Sequence, residues 1–277
     1  MKLNPYFEVI LAAIIWGSTG FFVKTLDLPP TTMAFFRLAV PTLLLFIFFS
    51  FTKVKLFEGN NKMMLIASSL NAVRMFLYFV GFTFTTIGNA VILLYTKPIF
   101  VVLLSLFFLK EKIPARNYFY LILSFVGTAF VLMGNEFSIQ NEDSIGMVAM
   151  LFSALIVAIA TTIYKKESDK YSKFEMVFYQ NLVGAFVFIP FIFINIPVPN
   201  IQQVSIASVY AILIGIVGFG LFFSAIKRIK LSTASILSYV EVVSGVLFGI
   251  IFFNEILTWN IVIGGTLIVT SSILLKK

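Results

Sequence analysis

The sequence contains no cysteine and no histidine. The absence of cysteine excludes disulfides, thiolate metal sites and cysteine nucleophiles. The absence of histidine excludes histidine proton relays, imidazole metal ligands and Ser-His catalysis. Charged residues are also scarce, at 12% of the 277 residues. Any chemistry must therefore come from Arg, Lys, Glu, Tyr and amide side chains, and we expect no catalytic residue, no metal and no cofactor.

Most of the remaining residues are apolar. They make up 60% of the chain, and the mean hydropathy is +1.04, far above the average for soluble domains. This composition predicts an integral membrane protein whose surroundings are a lipid bilayer. The net charge of +8 raises the alternative of nucleic acid, but the basic residues lie in short loops between apolar runs, which is typical of membrane topology. We therefore expect no nucleic-acid partner.

Apolar runs of about 18 to 23 residues are long enough to cross a bilayer core as helices. The sequence predicts an all-α membrane protein with ten transmembrane helices. The predicted spans are residues 5–24, 30–51, 63–83, 86–109, 115–134, 145–164, 174–195, 204–226, 231–253 and 258–275.

Basic residues predict the orientation of these spans. One set of loops holds Lys2, Lys53, Lys55, Lys62, Lys110, Lys112, Arg116, Lys165, Lys166, Lys170, Lys173, Lys227, Arg228, Lys230, Lys276 and Lys277. The other side has only Lys24, at a helix end. Because Lys and Arg are retained on the cytoplasmic side, we expect a multi-pass protein of the plasma (inner) membrane with both termini in the cytoplasm.

Residues 90–113 have a second copy at residues 234–257, offset by 144 positions. An offset near half the chain length is typical of a tandem duplication, here residues 1–139 and 140–277 within one transport domain. Five spans per half is an odd number, so the second copy must insert upside down. The loop charges agree, because 52–61 is basic and its counterpart 196–203 is uncharged. We therefore predict two inverted five-helix repeats.

The two copies place opposite charges at one matched position, Lys97 in the first and Glu241 in the second. An ionisable side chain at membrane depth costs at least ~2.5 to 3.5 kcal/mol on insertion scales, so it tends to face protein or water and to mark function. We expect Lys97 and Glu241 to meet across a central cavity as a substrate-binding or gating pair. The alternative is a structural ion pair. Because burial favours protonation of a carboxylate, Glu241 is also the candidate proton carrier.

A second polar group surrounds Arg74. Asn71 and Tyr78 precede and follow it by three and four residues, so a helix places amide, guanidinium and phenol on one face. A guanidinium fork binds carboxylate or phosphate through two parallel hydrogen bonds. We expect substrate contact here, with capping of carbonyls on a neighbouring helix as the alternative.

For other polar and aromatic residues the sequence gives weaker evidence of a functional role. Trp16, Tyr95 and Tyr239 are candidates to stack on a substrate, with packing as the alternative, and Ser238 adds a small polar group beside Glu241. Arg37 lies about two turns from the outer end of its helix, where it could snorkel outward, so we interpret it as a structural or outer-pathway charge. We also expect bends at Pro41, Pro98 and Pro190, close helix approach at Gly215, and helix-end positions for the equivalent residues Glu111 and Glu255.

Several segments together resemble a known family. They are IIWGSTGFFVK at 14–24, AFFRLAVPTLLL at 34–45, YTKP and LKE in the first copy, and YVEV and FNE in the second. The chain resembles the drug/metabolite transporter superfamily, in its ten-helix EamA-like branch. The resemblance implies transport of amino acids or other metabolites, more often export, and makes Arg37 a feature of the family. One departure is Val242, where many members have a proline that kinks the ninth helix.

These observations favour a secondary transporter with alternating access to a site at the membrane midplane. Three cations, Arg37, Arg74 and Lys97, face one carboxylate, Glu241, which leaves a charge of +2. This excess favours a small zwitterionic or anionic substrate, such as an amino acid. Glu241 makes protons the candidate second partner, and export is the direction that the resemblance implies. The alternatives are an importer of a choline-like or nucleotide-derived metabolite, a channel and a membrane-embedded enzyme. The sequence leaves monomer and homodimer open.

Overall fold

A computed structural model describes residues 3–52, 54, 56–57, 60–85, 87–133, 143–194, 199–254 and 256–275. Within these ranges every regular element is a helix, as the sequence predicts. The α-helices are Pro5–Gly17, Thr19–Leu26, Pro30–Ser50, Lys62–Phe84, Ile87–Leu94, Lys97–Phe108, Ala115–Leu132, Asp143–Glu167, Lys173–Val187, Ile189–Ile194, Ile201–Tyr210, Phe219–Ile226, Leu231–Leu237, Val240–Phe253 and Trp259–Leu275, and Ala211–Gly218 is π-helical.

Among the described residues, eight helical segments are long and apolar enough to cross a bilayer. They are Pro5–Leu26, Pro30–Ser50, Lys62–Phe84, Asn89–Phe108, Ala115–Leu132, Asp143–Glu167, Ile201–Ile226 and Leu231–Phe253. The last predicted span is a shorter apolar helix, Trp259–Leu275. The predicted span 174–195 is two helices that meet at Phe188, ahead of Pro190, and residue 195 lies outside the described part.

Three further predicted spans are interrupted, at Ser18, at Tyr95–Thr96 and at Ser238–Tyr239. A hydroxyl side chain lies at each interruption. Ser18, Thr96 and Ser238 each donate a hydrogen bond of 2.6 Å from the hydroxyl to the carbonyl oxygen three residues earlier. Such bonds compete with the helical pattern and tighten or end the last turn. The helix therefore ends at Ser238 without the proline that is missing at Val242.

The three prolines expected to mark bends behave differently. Pro98 is the second residue of the helix Lys97–Phe108, a position where its missing N–H costs nothing. Pro41 lies inside the unbroken helix Pro30–Ser50 and packs against Gly215 of the π-helical segment. A β-carbon on Gly215 would lie 2.5 Å from Pro41 Cγ, so the small residue permits the close helix approach expected from the sequence.

Four of the helix pairs that pack the halves of the sequence against each other are the following. Lys62–Phe84 lies on Asp143–Glu167, and Ala115–Leu132 lies on Trp259–Leu275. Pro30–Ser50 lies on Lys173–Val187, and Pro5–Gly17 lies on Val240–Phe253. Buried hydroxyls connect these surfaces: Ser153 donates to the Arg74 carbonyl oxygen over 3.1 Å, and Ser124 bonds to Ser271.

One end of the bundle is closed by polar contacts between the halves. The carboxylate of Glu111 accepts hydrogen bonds from the backbone N–H of Leu231 over 2.7 Å and of Ser232 over 3.2 Å. It therefore caps the helix Leu231–Leu237 from the other half and confirms the helix-end position expected of Glu111. Arg228 forms an ion pair with Glu8, and Lys230 bonds to the Lys112 carbonyl oxygen. We call this the basic end. The equivalent Glu255 lies outside the described residues.

Gly17 sets the spacing between Pro5–Gly17 and Val240–Phe253. A β-carbon there would lie 2.0 Å from Ser244 Oγ and 2.9 Å from the Glu241 carbonyl oxygen. We expect Gly17→Ala to destabilise the protein by about 1 to 3 kcal/mol through overpacking, measured by thermal unfolding in detergent. The matched control is Gly20→Ala, since nothing lies within 4 Å of a β-carbon at Gly20. Equal unfolding temperatures for the two variants would contradict this prediction.

Candidate functional site

Two helices begin at the charged pair that the repeat alignment identifies. Lys97 is the first residue of Lys97–Phe108, which we call the Lys97 half-helix, and Glu241 is the second residue of Val240–Phe253, the Glu241 half-helix. The structure brings the two side chains together across the halves, with Lys97 Nζ 4.0 Å from Glu241 Oε2. The interruptions at Tyr95–Thr96 and Ser238–Tyr239 are therefore what place both charges at helix N-termini.

The ion pair is loose. A separation of 4.0 Å is beyond hydrogen-bond length, so both groups keep capacity for another ligand. The two side chains are 22% and 24% exposed, which means that neither is sealed inside the protein. Each half-helix has the positive end of its dipole at its N-terminus. This positive end stabilises the negative charge of Glu241 in one half-helix and adds to the positive charge of Lys97 in the other. The Lys97 side of the pair is thus suited to an anionic group.

Trp16 lies against this pair from the helix Pro5–Gly17. Its ring centroid is 6.0 Å from Lys97 Nζ, within the range of a cation–π contact. The ring also packs on Phe219 at 4.8 Å and on Phe222 at 5.3 Å. Among the described residues the buried indole Nε1 has no hydrogen-bond partner. Trp16 is therefore held in place by packing beside the pair, with its donor unused.

The repeat-equivalent residues Tyr95 and Tyr239 join the two helix interruptions. Their rings are 6.2 Å apart with planes inclined by 28°, and the Tyr239 hydroxyl donates to the Tyr95 carbonyl oxygen over 2.9 Å. Tyr239 is fully buried, whereas Tyr95 is half-buried. The Tyr239 phenol thus connects the halves, and Tyr95 is the member of this pair with an accessible ring.

Ser238 lies next to this connection and is also buried. Its hydroxyl donates to the Ser235 carbonyl oxygen. A substrate that accepted a hydrogen bond from Ser238 would have to displace that bond. The role expected for Ser238 at the substrate stays a prediction.

Arg74 is held in a polar arrangement on the helix Lys62–Phe84. Its Nε donates to Asn71 Oδ1 over 3.2 Å, and Asn71 Nδ2 donates to the Gln180 carbonyl oxygen over 2.9 Å. The guanidinium also contacts Met75 Sδ, and Arg74 is only 8% exposed. Asn71 therefore orients Arg74 and ties it to the other half. The half-buried Tyr78 lies against Phe82, with ring centroids 4.7 Å apart.

Arg37 reaches the same sulfur atom from another helix. Its Nη1 lies 3.3 Å from Met75 Sδ, and its guanidinium lies 5.3 Å from the ring centroid of Phe219. Phe219 in turn packs on Trp16. The sequence did not predict this proximity to Arg74, because Arg37 belongs to a separate span.

These contacts assemble one charge cluster, which we define as Arg37, Arg74, Lys97 and Glu241. Arg74 interacts electrostatically with Arg37 and Glu241, and Lys97 interacts with all three other members. Three cations and one carboxylate leave an excess of two positive charges. The described residues contain no group of three or more carboxylates that could hold a metal ion. An excess of positive charge attracts an anionic group and repels a cationic one.

Sequence reasoning missed two residues of this region. Gln180 accepts from Asn71 through its backbone carbonyl oxygen, a group that every residue has, so its side chain gives no signal of this contact. Met75 carries no signal either, since a thioether among apolar residues is normally core packing. Its place between two guanidiniums follows only from how the helices pack.

The sequence profile of the EamA-like transporter family matches residues 4–133 and again residues 144–276. Relatives with similarity over nearly the whole chain are named as transporters. The chain is 26% identical to the pseudopaline exporter CntI of Pseudomonas aeruginosa (strain UCBPP-PA14), over 97% of this chain and 94% of the relative. It is 28% identical to the uncharacterized transporter YoaV of Bacillus subtilis (strain 168), over 94% and 92%.

The chain also has similarity to more distant proteins. The mouse solute carrier family 35 member G1 is 22% identical over 96% of this chain and 76% of the relative. A solved crystal structure superposes with a TM-score of 0.84 at 16% identity, covering 97% of this chain and 94% of the other. The likeness at this low identity shows a shared fold. Because the profile covers nearly all of the sequence in two matches, the chain belongs to the EamA-like transporter family of the drug/metabolite transporter superfamily and is a multi-pass membrane transporter.

Proposed function

We propose that the chain is a secondary transporter that works by alternating access, with its substrate bound at Lys97 and Glu241. The observation that carries the proposal is the opposite-charge pair at 4.0 Å, formed by equivalent positions at the starts of two half-helices. Interrupted helices whose N-termini face the midplane are typical binding elements of transporters built from inverted repeats.

We further propose that residues 1–139 and 140–277 are inverted repeats. The family profile matches the chain twice, once in each half. The helix packing also supports a twofold relation, because a contact from the first half to the second has an equivalent contact from the second half to the first. Pro5–Gly17 lies on the Glu241 half-helix, and its counterpart Asp143–Glu167 lies on the Lys97 half-helix. Two copies related in this way can rock about a site that they share.

The basic end is proposed to face the cytoplasm of a plasma (inner) membrane protein with both termini inside. Lysine and arginine cluster there, and such clusters are retained on the cytoplasmic side. Lys165 and Lys227 add to it by binding the carbonyl oxygens of Ile226 and Tyr171. Some basic residues used in predicting the orientation lie outside the described part, namely Lys2, Lys53, Lys55, Lys276 and Lys277.

The contacts at the basic end support a conformation closed toward the cytoplasm. Glu111 caps a helix of the other half, and Arg228 binds Glu8 across the same boundary. Opening this end would require these bonds to break. We propose that they form the cytoplasmic gate and exchange with contacts at the opposite end during transport.

The substrate is proposed to be a small zwitterion or anion, such as an amino acid, moved outward. The charge cluster has an excess of cations, which disfavours a bare organic cation. Export is supported by the similarity to a relative named as an exporter. Glu241 is the carboxylate of the cluster, so we propose it as the group that exchanges a proton during the cycle.

We expect Lys97→Ala to abolish transport, because the substrate loses its cation at the shared site. The measurement is counterflow of a radiolabelled L-amino-acid mixture in proteoliposomes, a readout that a carrier shows and a channel does not. Lys166→Ala is the matched control, since Lys166 is exposed at the end of its helix. Counterflow of the Lys97→Ala protein at the wild-type rate, at equal insertion, would contradict the proposed site.

Glu241→Gln is expected to separate exchange from proton-driven transport. The amide keeps the shape and the hydrogen-bonding capacity of the side chain but cannot release a proton. The variant should retain counterflow with substrate on both sides and lose accumulation driven by a pH gradient. If the pH gradient drives accumulation equally well in the variant, Glu241 is not the proton carrier.

Glu111→Ala should open the basic end more often. Losing a capping carboxylate costs about 1 kcal/mol, which is roughly a fivefold change in the open population. The chain has no cysteine, so a single cysteine at the buried Thr233 reports opening by its rate of labelling with an impermeant maleimide from the basic side. Glu175→Ala is the control, because Glu175 caps its own helix. Equal labelling rates in the two backgrounds would refute the gate.

A further inference from the structure

Two arginines from separate helices converge on one uncharged atom. Arg37 belongs to Pro30–Ser50 and Arg74 to Lys62–Phe84. Arg37 Nη1 lies 3.3 Å and Arg74 Nη2 lies 2.6 Å from Met75 Sδ. Both guanidiniums are therefore within reach of any group that occupied the position of this sulfur.

A thioether sulfur is a weak hydrogen-bond acceptor and carries no charge. It cannot balance two guanidiniums, and a buried cation normally needs an anionic partner. The carboxylate that interacts electrostatically with Arg74 is Glu241, and Glu241 already lies 4.0 Å from Lys97. Within the described part of the chain the arginine pair therefore has no carboxylate of its own.

The pair is also oriented in advance of any ligand. Asn71 holds the Nε of Arg74, and Arg37 rests on the ring of Phe219. Asn71 is itself fixed to the Gln180 carbonyl oxygen of the other half. Such preorganisation lowers the cost of binding, because the side chains are ordered before the ligand arrives.

We infer that Arg37 and Arg74 form a second anion-binding subsite, which takes a carboxylate or phosphate of the substrate in the place where Met75 Sδ now lies. Guanidiniums suit both groups through bidentate hydrogen bonds. The charges of Lys97 and Glu241 balance each other. The two excess positive charges of the cluster therefore belong to Arg37 and Arg74. The matching substrate is a small organic anion with two carboxylates, as in succinate or an acidic amino acid, or with a phosphomonoester group. This inference rests on the proposed function, since it places the subsite in the same transport pathway.

The test is ligand binding to the purified protein in detergent, read as the rise of the thermal unfolding midpoint during titration. The probes are succinate, glycerol 3-phosphate and L-leucine. We expect at least one dianion to bind about tenfold or more tightly than L-leucine, in line with hydrogen bonds to charged groups. Binding of succinate alone assigns a dicarboxylate, and binding of glycerol 3-phosphate alone assigns a phosphomonoester. Wild-type protein that binds neither dianion better than L-leucine would overturn the inference.

Three variants separate an anion subsite from a structural pair. Arg37→Gln should weaken binding of the dianion about tenfold, and Arg37→Lys, which keeps the charge and loses the fork, should recover only part of it. Met75→Leu removes the sulfur and should leave dianion affinity unchanged or higher. Arg116→Gln is the control, since Arg116 is exposed. Unchanged dianion affinity in Arg37→Gln, or a tenfold loss in Met75→Leu, contradicts the subsite.

The outcome is independent of the transport assay. Binding in detergent needs no gradient and no gate, so a failed subsite leaves the counterflow result at Lys97 untouched. Conversely, dianion binding that depends on Arg37, in a protein that shows no counterflow of that same dianion, would support the subsite and refute the carrier.

Discussion

The cost of placing ionisable side chains in an apolar interior is the constraint on which the rest of the structure depends. Arg37, Arg74, Lys97 and Glu241 come from four helices and interact as one cluster. Burial of a single charge is expensive, and grouping lets each charge be partly balanced by another. One carboxylate cannot balance three cations, so the cluster remains incomplete without an anion. This imbalance is the basis on which we propose a binding site for negative charge.

Hydroxyl side chains end two helices just before Lys97 and Glu241, and these breaks position the two charges. Thr96 and Ser238 donate to carbonyl oxygens three residues earlier, and the half-helices begin directly afterwards. The interruptions are joined by the bond from Tyr239 to the Tyr95 carbonyl oxygen. The same residues therefore break the helices, connect the halves and place Lys97 opposite Glu241. A movement of one half relative to the other would change the geometry of this junction, and we propose that this change couples substrate binding to gating.

The sequence predicts the helical class and most of the spans, because apolar length is a local pattern. It also predicts the meeting of Lys97 with Glu241, because the two segments are similar enough to be aligned as repeats. It does not predict the break at Ser238, since proline is the usual signal and Val242 replaces it, whereas the hydroxyl bond is common in unbroken helices too. The proximity of Arg37 to Arg74 depends on how separate helices pack around Met75. The cap that Glu111 provides to Leu231 joins residues 120 positions apart, so no local pattern carries it.

The central claim is that a cation from one half and an anion from the other act as one pair in a shared site. Charge exchange tests it most directly, by counterflow of Lys97→Glu, of Glu241→Lys and of the chain that carries both substitutions. Each single reversal places like charges about 4 Å apart, a repulsion of several kcal/mol near a protein surface, and should abolish activity. The double reversal restores opposite charges and should recover measurable counterflow. A double variant as inactive as either single one, with equal insertion, would contradict the pair.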